Sequence, residues 1–140
     1  MKADDAAKVA LAVIAANREF YRAFGRRDAA AIDRLWSRLS PVACIHPGWD
    51  ALTDRAAVMR SWRQIVANPN APDIVCRNET PFVLGDIAFV VCHEVLSEGI
   101  LAATNIFARE EGGWKLVHHQ ASPLAMLPRD EAEARPSRLN

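Results

Sequence analysis

Residues 72–123 read PDIVCRNETPFVLGDIAFVVCHEVLSEGILAATNIFAREEGGWKLVHHQASP, and this half of the chain decides the fold. Its apolar side chains alternate with polar ones, and β-branched residues are frequent. Gly85-Asp86, Ser97-Glu98-Gly99 and Glu111-Gly112-Gly113 interrupt it at regular intervals. That pattern predicts four strands over 74–84, 87–96, 100–110 and 113–121. The turns are short enough to make each strand antiparallel to the next. Pro81 has no N–H for a ladder, so the first strand is expected at a sheet edge, with a bulge, or in two pieces.

Upstream the period changes. From Asp4 to Gly25 the residues Val9, Val13, Ala16, Phe20 and Phe24 recur every three or four positions, one face of a long helix that Gly25 should end. Asp28 is placed to cap a second helix with Ile32, Leu35, Trp36 and Leu39 on its apolar stripe, stopped by Ser40-Pro41. The short run 42–46 reads as a strand closed by Pro47-Gly48, and Thr53 or Asp54 caps a third helix carrying Val58, Trp62 and Ile65. Helix, helix, strand, helix and a four-strand meander make an α+β domain. Its curved antiparallel sheet is expected to form a cone whose concave face the three helices cover. The uncovered face then favours a homodimer. The domain is expected over 1–127. The charged stretch RDEAEARPSRLN, 129–140, lies in a tail expected over 128–140.

Seventeen basic residues balance seventeen acidic ones, so no strong field for nucleic acid or an anionic membrane is expected. The start MKADDAAKVALAVIAANREF carries acids ahead of its apolar stretch, unlike a signal peptide. Cys44, Cys76 and Cys92 are far apart and lack disulfide or zinc spacing, which suits reduced thiols in a cytoplasmic protein. No motif for a metal or other cofactor is present, and none is expected.

Three stretches carry a family resemblance: FYRAFGRRDAAAIDRLW (20–36), CIHPGWDALTDRAAVMRSWRQIVANP (44–69) and ATNIFAREEGGWKLVHHQASP (103–123). Together they resemble the SnoaL-like branch of the nuclear-transport-factor-2-like, ketosteroid isomerase-like superfamily. That superfamily holds isomerases, polyketide cyclases and dehydratases, and also non-catalytic binding and oligomerisation domains, so the resemblance implies a fold and a pocket more than a reaction. In ketosteroid isomerases the oxyanion tyrosine of the first helix aligns with Phe20, one position from Tyr21, and the base aligns with His46, followed by Pro47. The resemblance thus implies an imidazole where relatives use an aspartate, with Asn105 or Gln120 as neutral donors.

Alternation counted from Trp114 sends Leu116, His118 and Gln120 into the cone and Lys115, Val117, His119 and Ala121 outward. On the earlier strand Ala88, Val90, Cys92 and Glu94 share a face, where a buried Glu94 must be paired or protonated. His46 and His118 are the candidate catalytic pair. Tyr21, Trp49, Trp62, Glu94, Asn105 and Gln120 are the candidate substrate contacts, with Trp49 at the rim. Two functions fit: proton transfer on a small apolar carbonyl compound by an isomerase, cyclase or dehydratase, or a ligand-binding or dimerisation module without turnover.

Overall fold

The computed structural model describes residues 2–126; the expected tail, 128–140, lies outside them. Three helices, α1 (Ala3–Gly25), α2 (Ala29–Leu35) and α3 (Arg55–Ala67), combine with five strands: β1 (Ala43–Ile45), β2 (Val75–Leu84), β3 (Ile87–Leu96), β4 (Gly99–Glu110) and β5 (Gly113–Pro123). The architecture is α+β, a curved sheet with helices. The sheet order is β1-β5-β4-β3-β2. The meander is antiparallel, its strands joined by two-residue turns at the register pairs Leu84–Ile87, Leu96–Gly99 and Glu110–Gly113. The sheet as a whole is mixed, which corrects the antiparallel expectation. β1 runs parallel to β5, with Ala43 opposite His118. A parallel neighbour needs a long connection, and here α3 and the whole meander supply it.

Local chemistry explains the elements. Asp28 caps α2 by accepting from the Ala31 amide at 3.0 Å, and Asp54 caps α3 by accepting from the Ala56 amide at 3.3 Å. Helix α1 stops at Arg27, whose φ of 56° is the left-handed turn expected of Gly25. The amides of Arg27 and Asp28 bond the carbonyls of Phe24 and Ala23, satisfying the free end of the helix. The Arg27 guanidinium spans to the carbonyls of Ala71 and Pro72, which ties this turn to the loop ahead of β2. Helix α2 is shorter than its stripe suggested. Trp36 leaves it to bridge Leu116 of β5, and Leu39 is exposed. Of the alternatives Pro81 left open, two hold: β2 is an edge strand, and its register slips between Arg77 and Thr80, with Asn78 at φ 58°.

A second irregularity matters more. Phe107 pairs with Leu116 but Ile106 pairs with His118, leaving Val117 as an extra residue in β5. This bulge inverts the alternation. Trp114 and Leu116 face the helices before it, and His119 and Ala121 face them after it. His118 and Gln120, expected inside, therefore lie on the other face: Gln120 is exposed and His118 half-buried. The core comprises Val13, Phe20, Ile32, Trp36, Val58, Val90, Phe107 and Leu116, all buried between helices and sheet.

Trp114 is 9% exposed and carries the Arg109 guanidinium 5.8 Å above its ring. Trp114→Ala should cost about 3–5 kcal/mol in urea unfolding, the usual penalty for a large-to-small aromatic change in a core. A loss under about 1 kcal/mol would show that the ring anchors little.

Candidate functional site

Four elements bring polar groups to one end of the covered face. From α1 comes Tyr21, from β3 Glu94, from β4 Asn105 and from β5 His119, all buried. The Tyr21 hydroxyl donates to Glu94 Oε2 at 2.7 Å and accepts from Asn105 Nδ2 at 3.0 Å. Asn105 Nδ2 also donates to Asn17 Oδ1 at 2.8 Å, and Asn105 Oδ1 lies 2.5 Å from His119 Nδ1. The second ring nitrogen of His119, Nε2, is 3.8 Å from Glu94 Oε2. Each contact joins side chains far apart in sequence, so only the folded sheet assembles them.

His46 follows β1, the neighbour of β5, and lines the same space. Its Nε2 lies 2.8 Å from Ser61 Oγ on α3, and Ser61 donates its own hydroxyl proton to the Val58 carbonyl at 2.6 Å. A serine has one proton to give, so toward His46 it accepts. His46 consequently carries its proton on Nε2 and leaves Nδ1 unprotonated. Trp49 and Trp62 each stand 4.7 Å from the His46 ring, edge to face, and Trp62 is also 5.5 Å from the His119 ring.

Tyr21, His46, Trp49, Trp62, Glu94 and His119 line a cavity of about 340 Å³. Phe20, Tyr21, Phe24, Trp49 and Trp62 give it aromatic walls, and His46, Glu94 and His119 are its titratable polar contacts besides Tyr21. Among the described residues no lysine or arginine lines it. Trp49 is 46% exposed and sits at the rim, whereas Trp62 is buried with an indole N–H that has no partner among the described residues. Burial sets the protonation states. It pushes His46 down to about 4 and His119 down to about 3, the latter helped by the nearby His46 and His118 rings, so both imidazoles are neutral at pH 7. Burial raises Glu94 above the usual carboxylate range against the lowering effect of the Tyr21 hydrogen bond. It also lifts Tyr21, with the Glu94 charge adding to the rise, so the phenol stays a donor. The Cys44 thiol is pushed up to about 12, which leaves it a poor nucleophile. Among the described residues no group of three or more His, Cys, Asp or Glu side chains is arranged to hold a metal ion.

The expected set divides accordingly. Tyr21, His46, Trp49, Trp62 and Glu94 meet at the cavity, Asn105 lies behind it, and His118 and Gln120 face away because of the β5 bulge. His119, Asn17 and Ser61 were missed. A signal existed for Asn17, which sits at four-residue spacing between Val13 and Tyr21 in an otherwise apolar stripe. For His119 the signal was a phase change: Trp114 and Leu116 are apolar at even positions, but Gln120 and Ser122 are polar there and Ala121 is not.

Neutral buried histidines tie stability to pH. An imidazole that ionises in the unfolded chain near 6.5 but only near 4 or 3 when folded binds fewer protons in the native state. Stability contributed by His46 and His119 is therefore complete above about 6.5 and falls, by up to about 1.4 kcal/mol per pH unit for each, down to those folded values. Glu94 opposes this, because its raised folded value stabilises at low pH and the contribution fades as pH rises through that value. In imidazole NMR titrations His46 and His119 should hold neutral shifts from pH 8 to about 5. A midpoint near 6.5 for either would contradict the burial described.

The fold has recognisable counterparts. A family model described as SnoaL-like domain matches residues 13–126. Among solved structures, a candidate dehydratase of the NTF2-like family from Streptomyces avermitilis is 34% identical. The match covers 84% of this chain and 96% of that one, with a TM-score of 0.77. A candidate calcium/calmodulin-dependent protein kinase type II association domain from Thiobacillus denitrificans is 32% identical over 79% of this chain and 93% of that one, with a TM-score of 0.72. The F-box protein SKIP8 of Arabidopsis thaliana is 29% identical over 79% of this chain, which spans about half, 49%, of that protein. The chain belongs to the SnoaL-like family of the NTF2-like superfamily.

Proposed function

We propose that the cavity binds a small, uncharged, largely apolar carbonyl compound and moves a proton on it, as an isomerase, cyclase or dehydratase does. One observation carries this reading: the same apolar cavity holds an imidazole kept neutral, His46, and a carboxyl raised toward its neutral form, Glu94. Environments that push an acid up and a base down leave both in working form together. His46 Nδ1 is the proton acceptor. Glu94, oriented by Tyr21, donates toward the oxygen that gains charge or leaves. The buried Trp62 N–H is a further donor in the wall. The similarity to a candidate dehydratase supports a reaction of this class.

The opposite sheet face supports self-association. Val75, Phe82, Leu84, Ile87 and Val91 are exposed there, with Phe82 and Phe89 stacked at 4.7 Å. An apolar sheet face of this kind favours a homodimer, and one similar structure is a candidate association domain. Three free cysteines accord with a cytoplasmic setting.

In deuterated buffer the protein should speed exchange of the α-hydrogens of a neutral ring ketone such as β-tetralone, followed by proton NMR. His46→Ala should lose about 10²–10⁴-fold, and His46→Asp should retain more than the alanine variant. The rate should climb as pH rises through about 4, where His46 loses its proton, and decline once Glu94 ionises. Ketone binding, seen as tryptophan quenching, with no exchange above buffer would leave a binding module instead. Light scattering should give twice the chain mass, reduced to one by Val91→Glu; a wild-type monomer would refute the dimer.

A further inference from the structure

Asn105 is fully buried and does not line the cavity, yet it touches both groups that flank Glu94 there. Its amide has two donor protons and one acceptor oxygen. The donors go to Asn17 Oδ1 at 2.8 Å and the Tyr21 hydroxyl at 3.0 Å, which leaves only the oxygen for His119 Nδ1 at 2.5 Å. An oxygen that only accepts requires a proton on His119 Nδ1. A free neutral imidazole in water favours the other tautomer, with its proton on Nε2. We infer that Asn105 is a positioning residue that holds His119 in the Nδ1–H tautomer, with Nε2 a bare acceptor beside Glu94, and turns the Tyr21 hydroxyl toward Glu94 by donating to its oxygen.

Asn17 keeps the amide from flipping. With Asn105 reversed, two carbonyl oxygens would face each other where the 2.8 Å bond now lies, and the amide N–H would meet the His119 nitrogen. The arrangement decides the hydrogen-bonding character of the inner cavity. In the other tautomer His119 would present an N–H to Glu94 and favour the ionised carboxylate; in this one its bare nitrogen favours the protonated acid. The titratable groups around His119 are Glu94 from β3, Tyr21 from α1, His46 after β1 and His118 on its own strand.

The test is long-range proton–nitrogen NMR of the imidazole rings in the full chain. Wild-type His119 should show a protonated Nδ1 and a bare Nε2; the reverse overturns the inference. Asn105→Leu should switch the ring to the Nε2–H form, and a folded leucine variant that keeps Nδ1–H also overturns it. Should that variant fail to fold, the isosteric Asn105→Asp decides: it should keep Nδ1–H and raise the His119 midpoint by about one unit or more. An unmoved midpoint counts against the role. The kinetic arm alone rests on the proton-transfer reading. There Asn105→Asp should lower kcat about 10–100-fold, the range seen when partners that orient an imidazole are changed, with KM little altered. Absence of exchange in the wild type would defeat that reading while the tautomer result stands or falls separately.

Discussion

A carboxyl group and an imidazole placed against the helix-covered face of a sheet lose their hydration, and each must find a partner or change its protonation. Asn105 resolves this for the whole inner end of the cavity, because a single amide satisfies Asn17, Tyr21 and His119 and through Tyr21 reaches Glu94. The contacts tie α1 to three neighbouring strands, so the network that sets protonation also fixes how the long helix lies on the sheet. Loss of one member leaves others buried without partners, a larger penalty than the net worth of a single hydrogen bond.

The bulge at Val117 is the second requirement. Without it the last strand would send Gln120 inward, and His119 would point away from Glu94. With it, Trp114 and Leu116 fill the core at one end of β5 while His119 serves the cavity at the other. A single extra residue thus separates the core-packing half of the strand from the half that reaches the cavity. Such irregularities recur beside functional sites because they re-aim side chains without altering the rest of a ladder.

How much of this the sequence reveals follows from the range of the interactions. Helices, strands and turns are set by neighbours, so the periodicity of α1, the cap at Asp28 and the places of the three turns were legible, whereas the α3 cap stayed open between Thr53 and Asp54 and two turns are one residue shorter than expected. Pro81 marked β2 as an edge strand, a bulge or two pieces, and the strand is both an edge and bulged. The parallel pairing of β1 with β5 and the inward turn of His119 depend on contacts over more than seventy residues and on a bulge that needs no glycine to mark it. Alternation carried across Val117 named the wrong histidine. His46 and Glu94 were found because their positions depend on an intact strand and a Pro-Gly turn.

The cavity pairs an imidazole kept neutral with a carboxyl displaced toward its acid form between aromatic walls, on a scaffold whose other face exposes apolar side chains. Relatives of this fold diverge in use, so the proposed proton transfer rests on those two groups rather than on the sheet. The most direct measurement is pH-dependent infrared difference spectroscopy of the carboxyl stretch in the wild type and in Glu94→Gln. A protonated-carboxyl band that persists above the usual carboxylate range and disappears in the glutamine variant is the predicted result. A Glu94 that ionises with the surface carboxylates would contradict the acid–base account of the cavity.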